Sequence, residues 1–337
     1  MTVSADDPFG RPPARPSGNA PYVNGNHRYS IVDPETGQRA QCSRVSTYAK
    51  TISDMAALHL WEQRNVVKGL TARESLYALA CSTPWEDDKA IQAIAERARE
   101  AAGASDGAHR GTALHNFTEA VDRGQPIHGP EGYLADAAAY AQALRDHQIT
   151  IDPALIEAVV YVPRFQLVGR IDRVAHSPLW GNHVEDLKTA RNIWKTWCEI
   201  TIQLACYAHA SHWWDNARDA WVPMPAVSQT DALVAHALVG TAETTFYRVP
   251  VELGWRAAEL CESARAWRRS EERLPTACDP LDLAYVDRVR SATSVADLRA
   301  VWAEAEPAGL WTPELERMAL GVQKALTEGV ANLLGSE

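Results

Sequence analysis

The chain has 337 residues and 46% hydrophobic content, enough for one large domain with an appendage and a sizeable core. Its 33 basic and 43 acidic residues leave a formal charge of −10, which argues against a protein that coats nucleic acid over its whole surface and leaves room only for a local basic groove. Six scattered cysteines without a C-x-x-C pair read as free thiols; no apolar run is long enough to span a bilayer, and the first residues lack the basic start and apolar stretch of a secretory signal. The expectation is therefore a cytoplasmic chain with no membrane partner.

In chain order, residues 1–26 hold five Pro and three Gly with almost no periodic apolar pattern, and 1–42 as a whole reads as a flexible leader. Apolar residues at mixed three- and four-residue spacings predict helices near 52–65, 72–81 and 87–101, a helical region over 43–105. Two more helices are expected at about 107–123, closed by Arg123-Gly124, and 131–147. The text then turns β-branched. IEAVVYVPR (156–164), FQLVGRIDRVAH (165–176) and NHVEDLKT (182–189) read as three antiparallel neighbours. A helix over about 195–215, strands at 231–239 and 244–251, and a helix over 252–272 complete a mixed α/β core, assigned to 106–275. A helical appendage over 283–334 follows. Ser294 caps a helix to about 305, and Thr312-Pro313 opens another to about 328.

The chemistry concentrates in the middle strands. Side chains two apart on a strand share a face, so Asp186 and Lys188 point together while Glu185 and Leu187 point the other way. Asp172 sits among Leu167, Val168, Ile171 and Val174, where an isolated carboxylate is expensive to bury. A hairpin that sets Asp172 beside Asp186 creates a repulsion that a divalent cation relieves. Lys188 would then orient the attacking water and offset charge on a phosphate. The bland alternative is a surface pairing of Asp172 with Arg170 or Arg173. On the following helix, Gln203 and Tyr207 lie four apart, on one face.

Taken in order, G-x-x-x-H (Gly111, His115), G-x-x-D (Gly169, Asp172), D-x-K-T (Asp186, Lys188, Thr189) and Q-x-x-x-Y (Gln203, Tyr207) resemble the RecB-like branch of the PD-(D/E)XK nucleases, which includes AddB-type and CRISPR-associated members. The match covers about half the chain. The resemblance implies a restriction-endonuclease-like core with a mixed β-sheet flanked by helices, and a stand-alone, phage-type DNA exonuclease for recombination, repair or end processing. An endonuclease on the same fold, or a binder that keeps the fold without catalysis, are the alternatives.

The same resemblance makes His115, Asp172 and Asp186, with the Leu187 carbonyl, ligands of Mg²⁺ or Mn²⁺, and Lys188 the catalytic lysine. Gln203 and Tyr207 would hold the lysine and the DNA backbone. Glu119, one turn beyond His115, reads either as a partner orienting that imidazole or as an ordinary solvated carboxylate. Between 159 and 197 six basic residues face three acidic ones, so Arg170, Arg173, Arg191 and Lys195 are candidates for the DNA track. Some relatives hold an iron–sulfur cluster through three closely spaced cysteines. This chain lacks that trio, and no cluster is expected. Cys198, Cys206, His209 and His212 would share one helix face but span too far for one zinc ion. Trp194, Trp197, Trp213 and Trp214 are assigned to core packing rather than base stacking. A partner for the C-terminal helices would be a recombination or single-strand annealing protein.

Overall fold

In a computed structural model, which describes residues 18–271 and 282–334, the chain separates into two units, Met1–Arg268 and Arg269–Glu337. The first is α/β with mixed sheets flanked by helices. It opens with β1 (Tyr22–Val23), β2 (Tyr29–Val32) and β3 (Arg39–Arg44). These strands correct the expected leader over 1–42. The Asp33-Pro34-Glu35-Thr36-Gly37 segment is a turn in which the Asp33 carboxylate accepts the Glu35 and Thr36 amides, and Gly37 takes the left-handed backbone. Ile31 and Cys42 then pack with Tyr161 and Val168. Residues 1–17 of that leader lie outside the described residues, as does Cys278.

After a short α1 (Val45–Ala49) come α2 (Ala56–Ala72), α3 (Glu74–Ser82), α4 (Asp88–Ala101), α5 (Asp106–Asp122) and α6 (Glu131–Asp146); α3 to α6 lie close to their expected spans, whereas α2 starts later than the expected 52–65 and runs on to 72. The strands continue with β4 (Thr150–Ile151), β5 (Val159–Val162), β6 (Leu167–Arg170), β7 (Arg173–Ser177) and β8 (Gly181–Lys188). Next come α7 (Trp197–Ala208), β9 (His212–Asp215), β10 (Ala220–Pro223), β11 (Asp231–Leu238), β12 (Glu243–Pro250) and α8 (Val251–Arg269). The strands form two mixed sheets, ordered β1-β2-β3-β6-β5-β9-β10 and β12-β11-β8-β7-β4.

Two departures matter for the site. The run 165–176 is not one strand. It breaks at Ile171–Asp172, so that β6 pairs with β5 in one sheet while β7 pairs with β8 in the other. The helix expected to 215 stops at Ala208, because HWWD pairs with β5 and β10 as a strand. His212, Trp213 and Trp214 are therefore strand residues, and the one-face arrangement with Cys198 and Cys206 does not exist.

The five-stranded sheet is covered on both faces. Ala175, Leu187, Leu233 and Ala235 pack with Leu114 of α5 and Tyr140 of α6. Val174, Val184 and Val234 belong to the cluster of Ile202 and Leu204 on α7. This alternation places Asp172, Asp186 and Lys188 on the α7 face by parity.

Among its described residues, the second unit packs α9 (Leu283–Arg290), α10 (Val295–Ala305) and α11 (Pro313–Leu334) around Val286, Val289, Leu298, Val301, Leu315 and Ala319. Ser294 caps α10 as expected, in a reciprocal box with Asp297. Among the described residues, no helix is long and apolar enough to cross a membrane.

Candidate active site

Two glycines let the elements of the site approach one another. A Cβ on Gly111 would lie 2.6 Å from the Thr189 hydroxyl, so α5 can rest on the end of β8 only without a side chain there. A Cβ on Gly169 would lie 2.5 Å from Cε1 of Tyr207 and 2.9 Å from Val45. The G-x-x-D glycine thus makes room for the Q-x-x-x-Y tyrosine. Gly169→Ala is expected to displace the Tyr207 ring and destabilise the first unit by about 1–3 kcal/mol, read from the urea midpoint.

Asp172 sits at the seam between the sheets. Its Oδ2 accepts the Leu187 amide at 2.8 Å, which fixes the carboxylate beside β8. The His115 Nδ1 lies 3.9 Å from the same oxygen. Glu157, which attracted no notice in the sequence, enters from the bend before β5. Its backbone is left-handed (φ 58) and its amide donates to the Asp172 carbonyl at 2.9 Å. His115, Glu157 and Asp172 bring one ligand atom each within 4.8 Å of one another. One divalent cation spans that spacing, since ligands about 2.0–2.6 Å from an ion stand roughly 4–5 Å apart across it. Two carboxylates with one imidazole suit a hard or borderline ion.

Asp186, also expected as a ligand, stands outside this trio. It is ion-paired with Lys188, and its Oδ1 accepts the Gln203 amide at 3.2 Å. Gln203 therefore orients the lysine's partner rather than the lysine. Tyr207 is buried and lines the same cleft. The Leu187 side chain packs in the core as its parity requires, and its backbone amide is the group that holds Asp172.

The electrostatics follow from burial and crowding. Burial pushes the Glu157 carboxyl up to about 7, and the neighbouring Asp172 adds to it, against the pull of Arg170. Burial likewise raises Asp186 despite Lys188. Burial opposes charge on Lys188, but the Asp186 and Asp172 carboxylates outweigh it and hold the ammonium above the usual lysine range. His115 is lowered by burial, which favours the neutral imidazole a metal requires.

The basic track read from sequence is not assembled as expected. Arg173 is 1% exposed, and it is bound to the Asp122 carboxylate at 2.6 Å and the Thr118 hydroxyl at 2.8 Å. This corrects its assignment to DNA. The residue after Asp172 on a strand must face the opposite side, where the register sets it against Glu185. Arg170 is exposed but paired with Glu157 at 2.6 Å. Arg191 and Lys195 are exposed. Trp194 is 65% exposed, which corrects its assignment to the core; it lies against Trp197 and Tyr247.

Two clefts meet here. One, of about 500 Å³, is lined by Glu119, Glu157, Asp172, Gln203 and Tyr207. The other, of about 980 Å³, runs past Trp61, Arg110 and Arg191. Thr112 and His115 line both. Comparison with known proteins adds nothing to this geometry: no family model matches the chain, and no curated protein does.

Proposed function

We propose that this chain is a divalent-metal-dependent DNA nuclease with a RecB-like PD-(D/E)XK core, acting as an exonuclease. The observation that carries this reading is the meeting of His115, Glu157 and Asp172 at an open cleft, from elements separate in sequence, with an Asp186–Lys188 ion pair near Asp172. The ordered motifs alone would also suit a fold kept for binding. The clustering of His115, Glu157 and Asp172 at one opening, with the Asp186–Lys188 pair close behind Asp172, favours catalysis.

His115, Glu157 and Asp172 are the residues that would hold Mg²⁺ or Mn²⁺; a bound ion supplies Lewis-acid polarisation of a phosphoryl oxygen and a more acidic water. The remaining groups have distinct tasks. The Lys188 ammonium stabilises negative charge developing on the phosphate and orients the attacking water. The Asp186 carboxylate aims that ammonium, and the Gln203 amide holds Asp186 in place. The Leu187 amide fixes the Asp172 carboxylate.

End-labelled linear DNA and covalently closed circular DNA, incubated with Mg²⁺, Mn²⁺ or EDTA, test the reading. Linear DNA should be consumed only with metal, and circles spared. Folded protein that degrades neither form with either ion sinks the nuclease assignment; degradation of circles replaces exonuclease with endonuclease. Glu157→Gln should weaken Mn²⁺ binding at least tenfold by calorimetry, because even supporting partners of metal ligands are worth about 10–100-fold.

A further inference from the structure

The larger cleft differs in kind from the carboxylate-rich one it joins. Arg110 and Arg191 line it, and among the described residues that line it none is acidic, in a chain of formal charge −10. Its walls are otherwise largely apolar, from Leu58 and Trp61 of α2 to Leu238 and Val239 at the end of β11. Trp61 is 45% exposed and Leu58 41%, so α2 offers apolar surface to this cleft rather than burying it.

We propose that this cleft binds an unpaired DNA strand and leads it to the site at His115, with Trp61 stacking on a base and Arg110 and Arg191 contacting phosphates. The proposal rests on the nuclease reading for what happens at His115, but not for the binding itself. A duplex turns its phosphates outward and hides its base faces, so it gains nothing from a recessed aromatic and aliphatic wall. An unpaired strand offers both, and stacking on aromatic side chains is indifferent to sequence. The shared Thr112 and His115 make the basic cleft continuous with the metal-suited one, so a phosphate leaving Arg191 and Arg110 meets the trio next.

The test uses the full chain in EDTA, with fluorescence anisotropy of a labelled oligo(dT) of roughly 15 nucleotides and of a blunt duplex of equal length. Wild type should bind oligo(dT) more tightly than duplex. Trp61→Ala should weaken oligo(dT) binding about 5–10-fold, Trp61→Phe should retain most of it, and duplex binding should not change. Arg191→Ala should weaken oligo(dT) binding and flatten its salt dependence. Equal or tighter duplex binding overturns the proposal, as does an unaltered affinity in Trp61→Ala. Arg191 is exposed outside the regular elements, so if Trp61→Ala fails to fold, Arg191→Ala binding oligo(dT) like wild type is equally decisive against it. Trp61-dependent, strand-selective binding by a chain that cleaves nothing keeps the cleft and removes the nuclease reading. Cleavage indifferent to both substitutions does the reverse.

Discussion

Lys188→Ala should lower the rate of metal-dependent DNA cleavage by roughly 10²–10³-fold, the usual loss when one group that stabilises transition-state charge is removed. Metal and DNA binding should survive, because the trio that would hold the ion does not include Lys188. Two features make the effect large. The ammonium sits beside two carboxylates that keep it charged, and Gln203 and Asp186 restrict where it points. Single-turnover digestion of end-labelled DNA, alongside anisotropy with the same substrate, separates the two losses. Unchanged cleavage would show that the Asp186–Lys188 pair is structural. Lys188→Arg keeps the charge but changes its shape and reach, and is expected to recover only part of the rate.

The largest effect on stability is expected at Arg173. Its guanidinium is buried against Asp122, Thr118, the Tyr140 ring and Glu185, whose carboxyl is pushed up to about 8, chiefly by burial, with Arg173 opposing. Arg173→Ala leaves buried acidic groups uncompensated, which typically costs about 3–5 kcal/mol. Urea unfolding followed by circular dichroism should show the loss. Adding Asp122→Asn to Arg173→Ala should restore part of it, since the carboxylate that Arg173 paired then carries no charge. A loss below about 1 kcal/mol, the range of an exposed ion pair, would show that the cluster is hydrated rather than sealed.

Much of the site was legible in the sequence because its residues obey local periods. Asp186 and Lys188 share a face through strand alternation, Gln203 and Tyr207 through the helical repeat, and both glycines sit where an approach is tight. Alternation also shows that Arg173 must turn away from Asp172, although charge counting over 159–197 pointed elsewhere. Glu157 was not legible. It sits in a bend with left-handed backbone, where no period assigns it a face, and it reaches Asp172 only through the pairing of β5 with β6. Trp61 and Arg110 were hidden for a similar reason: they join Arg191 across separate elements. In the fold, the amphipathic helices were plain. The early strands were obscured by Pro and Gly that serve turns. The β9 strand falls inside the helix expected to 215 because nothing between Ala208 and Trp213 breaks one. The Asp215 side chain accepting the amides of Ala217 and Arg218 was its sequence mark.

The break at Ile171–Asp172 ties assembly of the site to assembly of the whole first unit. The same two residues are where the backbone leaves one sheet and enters the other, so neither sheet alone can present the carboxylate. A folding chain brings His115, Glu157 and Asp172 together only once both halves have closed on each other. An ion bound there acts as a clasp, opposing any opening that separates them. Manganese should accordingly raise the melting temperature of the first unit as a whole, as a ligand restricted to the closed state must.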